Sequence, residues 1–157
     1  MRCFFINKKR QKRCTLPESC VNTGVVKAIN GKVGGIAGYS LFDDKGHDNV
    51  ESIIVACYST STELSGSRNV GLLVGQQNKG YTIGSWASSV GNLPLVKSNN
   101  TDLQACYKYD SAANVTEADV VAMNAAIDTF NTDKQATDYN YCPYKWVYVA
   151  GSYPVLQ

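Results

Sequence analysis

The phrase VGGIAGYS (Val33–Ser40) returns as VGLLVGQQ (Val70–Gln77), 37 positions further on. A cysteine stands 13 residues ahead of each copy, Cys20 before the first and Cys57 before the second. A fixed period of this size marks a repeat architecture, in which each unit buries its apolar face only by stacking on a neighbour. The residues after the cysteines agree, since CVNTG at Cys20 is answered by CYSTS at Cys57. A third copy, ACYKYD, opens at Ala105. Its Cys106 lies 49 beyond Cys57, which reads as about 12 inserted residues between 80 and 100, and no Val-Gly phrase follows it.

Short apolar runs such as SIIVACYS (Ser52–Ser59) and NVGLLVG (Asn69–Gly75), bounded by Gly, Ser and Asn, read as buried strands. They are too short and too rich in glycine for helices. Two such strands per unit predict a parallel β-solenoid in which 37 residues make two turns of about 18. The three cysteines would then form a ladder with Cα atoms about 9.6 Å apart, twice the strand spacing, which is too far for a disulfide.

These phrases, C-V-N-T-G…V-G-G-I-A-G-Y and C-Y-S-T-S…V-G-L-L-V-G-Q, resemble GLUG-motif repeats over roughly residues 20–110, with Leu72 departing from the pattern where the first copy has Gly35. The resemblance implies a bacterial cell-surface or secreted, adhesin-like scaffold, part of a longer repeat protein, without a catalytic site.

The last third changes character. Thr116-Glu117-Ala118-Asp119 has the form of a capping box. Val120, Met123, Ile127 and Phe130 then recur at helical spacing, predicting an amphipathic helix over 117–130. YKWVYVA and YPVL, either side of Gly151-Ser152, predict a β-hairpin. Helix and hairpin together are expected to cover the last open strand edge. The chain thus divides into a basic segment (1–19), mainly β repeats (20–115) and a cap (116–157).

The net charge of +2 hides an asymmetry. Six of the 15 basic residues lie in the first 13 positions, leaving nine basic against 13 acidic side chains in the rest. A body of that balance offers no broad surface for a phosphate backbone, so no nucleic-acid partner is expected. No run of about 18 apolar residues predicts a membrane span.

Candidate chemistry is sparse. His47 is the one histidine, which argues against His-rich metal sites. Asp43, Asp44 and Asp48 share its loop without matching a Ca²⁺-binding pattern. No phosphate or dinucleotide fingerprint occurs, so neither metal nor cofactor is expected. Aromatic residues crowd the C-terminal end. Tyr139, Tyr141, Tyr144 and Trp146, with Trp86 in the inserted stretch, are the candidate ligand-binding residues, because exposed rings stack on sugars or anchor proteins. The expected function is non-catalytic binding or scaffolding, with a glycan or host protein as partner. The rivals are a polysaccharide-cleaving β-helix enzyme, by analogy of fold alone, and a nucleic-acid binder acting through the basic segment.

Overall fold

The computed structural model describes residues 15–41, 52–97, 100–133 and 142–157. Among the described residues the protein is mainly β, with one α-helix and a C-terminal hairpin. Its first pass carries β1 (Thr15–Glu18), β2 (Val21–Asn22), β3 (Val26–Lys27), β4 (Val33–Gly34) and β5 (Ala37–Leu41). The second repeats the series as β6 (Ser52–Val55), β7 (Tyr58–Ser59), β8 (Leu64–Ser65), β9 (Val70–Gly71) and the start of β10 (Val74–Ile83). Shorter passes follow, through β11 (Trp86–Ser88), then β12 (Asn100–Gln104) and β13 (Tyr107–Tyr109).

The repeats pair directly and in parallel. Glu18 is in register with Val55, Val21 with Tyr58, Val33 with Val70 and Ala37 with Val74. Parallel neighbours cannot be joined by a tight turn, so the chain must travel away and return between them. The 37-residue unit is therefore one excursion and not the expected two turns of about 18. Cys20 and Cys57 are consequently adjacent, and the Cys20 amide donates to Cys57 Sγ at 3.4 Å.

The expected insertion is also corrected. Tyr58 pairs with Trp86, and Trp86 with Tyr107, at offsets of 28 and 21. The 49 residues between Cys57 and Cys106 are thus two shortened excursions, with Ser85 in the place of a cysteine. The two larger sheets run β1-β6-β10-β12, with β5 also paired to β10, and β13-β11-β7-β2, while β3 with β8 and β4 with β9 form separate two-stranded pairs.

One corner joins the two sheets in every pass. Ser19, Ala56, Gly84 and Ala105 occupy it with φ of 54, 51, 52 and 48°. These are left-handed conformations that cost a non-glycine residue about 1–2 kcal/mol. The ladder continues through the corner: Ser19 N–H donates to Val55 O at 3.3 Å, Ala56 to Ile83 O at 3.1 Å and Gly84 to Gln104 O at 2.9 Å. In the next position, the side chain folds back on a strand carbonyl. Cys57 Sγ donates to Val55 O at 3.2 Å, Ser85 Oγ to Ile83 O at 3.0 Å and Cys106 Sγ to Gln104 O at 3.5 Å.

The glycine phrases answer to close packing of a different kind. A Cβ on Gly34 would collide with the Ala37 carbonyl, and one on Gly71 with that of Val74. Here the chain doubles back on itself inside each copy, and only hydrogen fits.

Side-chain alternation sends opposite faces of the strands into two separate cores. Ile54, Cys57 and Ala87 join Leu72, Leu73 and Val74 in one. Ile53, Val55, Ile83 and Trp86 join the helix and hairpin in the other. Helix α1 (Glu117–Thr132) starts at the expected capping box, with Thr116 Oγ1 accepting from Asp119 N–H, and buries Val120, Met123, Ile127 and Phe130. The hairpin pairs β14 (Trp146–Val147) with β15 (Val155–Leu156), antiparallel. Both pack on the sheets' second face rather than across the end of the stack. At that end Leu103, in register with buried Thr82, remains 43% exposed.

Ile127→Ala should lower unfolding free energy by about 2–5 kcal/mol, as truncation of a buried isoleucine does. Val121→Ala, on the exposed side of the same helix, should leave the denaturant midpoint nearly unchanged. A Cβ on Gly84 would lie 2.7 Å from Ile127 Cγ1 and 2.9 Å from the Met123 carbonyl. Gly84→Ala should therefore cost about 1–3 kcal/mol through overpacking, although Ala is native at the equivalent Ala56. The paired measurement is Ala56→Gly, where relief of the left-handed strain offsets the lost methyl and the midpoint should barely move.

Candidate binding face

Two of the aromatic residues expected to meet a ligand are core residues. Trp86 is 1% exposed, and its ring lies between Tyr58 and Tyr153, stacked at centroid distances of 4.8 and 4.9 Å. Trp146 is 2% exposed, packs edge-on to Trp86 at 6.1 Å, and donates from Nε1 to the Gly84 carbonyl at 2.6 Å. Both faces of Trp86 are occupied and the Trp146 donor is spent on a corner residue, so neither ring is open to a ligand. Their role is to fasten the hairpin to the repeats. Tyr144 is 40% exposed; Tyr139 and Tyr141 lie outside the described residues, as do His47, Asp43, Asp44 and Asp48.

Burial also governs the Cys106 thiol. Desolvation by burial pushes the Cys106 thiol up to about 12, and the thiol rather than the nucleophilic thiolate prevails at neutral pH. Its Sγ is engaged with the Thr82 carbonyl at 3.0 Å. Among the described residues, no three His, Cys, Asp or Glu side chains gather in a group that could hold a metal ion. Several polar side chains within the repeats bond one another, while among the described residues Ser40 Oγ, Trp86 Nε1 and the Tyr109 hydroxyl are buried without a hydrogen-bond partner. Asn22 Nδ2 donates to Gly35 O at 2.8 Å and Ser61 Oγ at 3.0 Å, and Thr82 Oγ1 donates to Gln77 Oε1 at 3.0 Å.

A different part of the surface has the composition of a recognition face. Equivalent positions of the two full copies, 32 with 69 and 39 with 76, make a grid of four side chains. In the first copy the Lys32 ammonium sits over the Tyr39 ring, 3.4 Å from its centroid. In the second, Asn69 Nδ2 donates to Gln76 Oε1 at 3.0 Å. Tyr39 and Gln76 are in register across β5 and β10. Gln76 Nε2 then donates to Asn78 Oδ1 at 3.1 Å, and Asn78 Nδ2 to the Tyr39 hydroxyl at 3.4 Å. Tyr39 is 42% exposed, while Lys32, Asn69, Gln76 and Asn78 are half-buried.

The stretches of chain that carry the grid are one-sided in charge. Ser19–Leu41 and Leu64–Lys97 contain Lys27, Lys32, Arg68, Lys79 and Lys97 and no acidic residue. Sequence reasoning missed the face because it searched for aromatic clusters. The readable signal was the absence of acids from these stretches, together with the side chains that differ between equivalent positions, Lys32 with Asn69 and Tyr39 with Gln76. Comparisons with family models, with curated proteins and with solved structures return no match.

Burial, with the Asp119 carboxylate nearby, also raises the Tyr109 phenol above its ordinary value of 10.0; Tyr107 shifts in the same direction, again mainly by desolvation. A phenol with a raised folded-state pKa holds its proton more tightly when folded. Its contribution is whole below about pH 10 and is lost as pH rises through the folded value. Unfolding free energy should therefore fall steeply above pH 10, and Tyr109→Phe should flatten that fall. In parallel, Cys106 should resist iodoacetamide in the native protein at pH 8 and react on unfolding, followed by mass spectrometry.

Proposed function

We propose that this chain is a non-catalytic binding or scaffold module of a bacterial surface or secreted protein, built as a parallel β-solenoid from GLUG-like repeats. Under this reading the stacked excursions form a rigid body, and the ligand, a glycan or a host surface protein, meets an outward face. The observation that carries it is the register at offset 37, where Val21, Val33 and Ala37 pair with their own repeat equivalents. Repeat scaffolds of this kind present long faces whose side chains change without disturbing the stack. The grid of Tyr39 and Gln76 on β5 and β10, with Lys32 and Asn69 just ahead of β4 and β9, is such a face.

The test is a binding screen of the purified chain against glycans and extracellular-matrix proteins, with the polymers assayed afterwards for cleavage. Retention of at least one class of polymer without product release is the expected result. Product release that follows the protein through purification and disappears on changing one acidic pair would replace this reading with the polysaccharide-cleaving enzyme.

A further inference from the structure

Taking the binding-module reading as its basis, we propose that the Lys32–Tyr39–Asn69–Gln76 grid binds a carboxylated polysaccharide. The first support is charge. The two stretches that build the grid contribute cations and no acids. Lys27 is already committed to an ion pair with Glu63 at 2.7 Å. Lys32 is engaged instead with a neutral ring, which holds its ammonium above the sheet without neutralising it. A carboxylate arriving there gains a charge-assisted hydrogen bond from a donor that is already positioned.

The second support is the hydrogen-bonding character of the remaining side chains. Asn69, Gln76 and Asn78 form a directional chain ending at the Tyr39 hydroxyl. Each amide carries two N–H donors and a carbonyl with two lone pairs, so this chain leaves donors and acceptors unspent on all three. Sugar hydroxyls both donate and accept, and they match such a row on both counts. A phosphodiester backbone only accepts, and would use the spare N–H donors while leaving the remaining amide lone pairs unused. The exposed Tyr39 ring supplies the apolar patch on which a pyranose C–H face rests. Tyr39, Gln76 and Asn78 lie on the paired strands β5 and β10, and Lys32 and Asn69 stand just ahead of the paired β4 and β9, so a chain of sugars spans them without rearrangement of the fold.

The experiment is affinity electrophoresis of the full chain through gels containing polygalacturonate, the same polymer with its carboxyl groups reduced, or single-stranded DNA. Polygalacturonate should retard the protein most. Lys32→Ala should weaken that binding about tenfold, as loss of a charge-assisted hydrogen bond does, and Lys32→Arg should largely restore it. Tyr39→Ala should weaken it about threefold to tenfold. Lys145→Ala, which removes a cation beside the helix, should leave it unchanged, and thermal midpoints of the grid variants should match the parent. Equal retardation by the reduced polymer would overturn the carboxylate assignment while preserving a glycan-binding module. Stronger retardation by DNA, or retardation equally sensitive to Lys145→Ala, would overturn the site in favour of diffuse charge. Failure to bind polygalacturonate would overturn this inference alone, since the wider screen decides whether the chain is a binding module.

Discussion

The structure depends on a corner that the chain turns four times. A strand ends, one residue takes a left-handed conformation, and the next places a short side chain with a polar hydrogen back toward the strand it has just left. The left-handed step is costly for Ser19, Ala56 and Ala105. It is retained because parallel bonding continues on both sides of it: amide hydrogen bonds at the corner itself are followed by those of Cys20 and Cys57 to the side chains of Cys57 and Ser85, and then by those of Tyr58 to Cys20, Trp86 to Cys57 and Tyr107 to Ser85. Losing the corner would orphan backbone groups on both sides. Cysteine recurs there because it is small, tolerates burial and carries a donor one bond from Cβ. Serine meets the same needs, and Ser85 does so in the third pass.

Everything outside the repeats follows from the direction the corner imposes on the strands. Alternation carries Ile54, Cys57 and Ala87 to one side and Ile53, Tyr58 and Trp86 to the other. The second set is as apolar as the first and needs its own cover. Helix α1 and the hairpin supply it, and the joint is made at the corner: Gly84 offers the helix a flat backbone while its carbonyl accepts from Trp146. Asn124 completes the fastening from the helix side, bonding both the N–H and the carbonyl of Trp146 at 2.8 Å. The one glycine among the four corner residues stands where the helix lies, so packing rather than backbone conformation fixes that identity.

Much of this was legible from residues alone, and the limits were physical. The 37-residue offset, the capping box at Thr116 and the stripe from Val120 to Phe130 are local or periodic signals, and they emerged with the right partners. The number of strands per unit was misjudged because β3, β4, β8 and β9 are two-residue elements, too short for any hydrophobic period to register. The third pass was read as an insertion because Ile83-Gly84-Ser85-Trp86 preserves the corner's geometry and not its letters. Trp86 and Trp146 misled for a related reason. Aromatic composition says that rings will bury area or bind, and only the three-dimensional arrangement shows that their faces and donors are already taken.

The division of labour also explains where the charge lies. Acidic residues near the helix have structural work: Glu117 and Asp119 stand in its first turn, where the helix dipole favours negative charge, and Asp128 pairs with Lys145. The strands β4, β5 and β9 and the first half of β10 carry no acid: their inward positions are filled by backbone close-packing, apolar side chains and the buried Ser40 and Gln77, and their outward side chains bond one another. Positions 32 and 69 are equivalent in the repeat, yet one is lysine and the other asparagine; 39 and 76 are tyrosine and glutamine. The corner, by contrast, accepts only small residues. Side chains that diverge between otherwise superposable copies, on a face that contributes nothing to the core, are free to be set by what they touch outside the molecule.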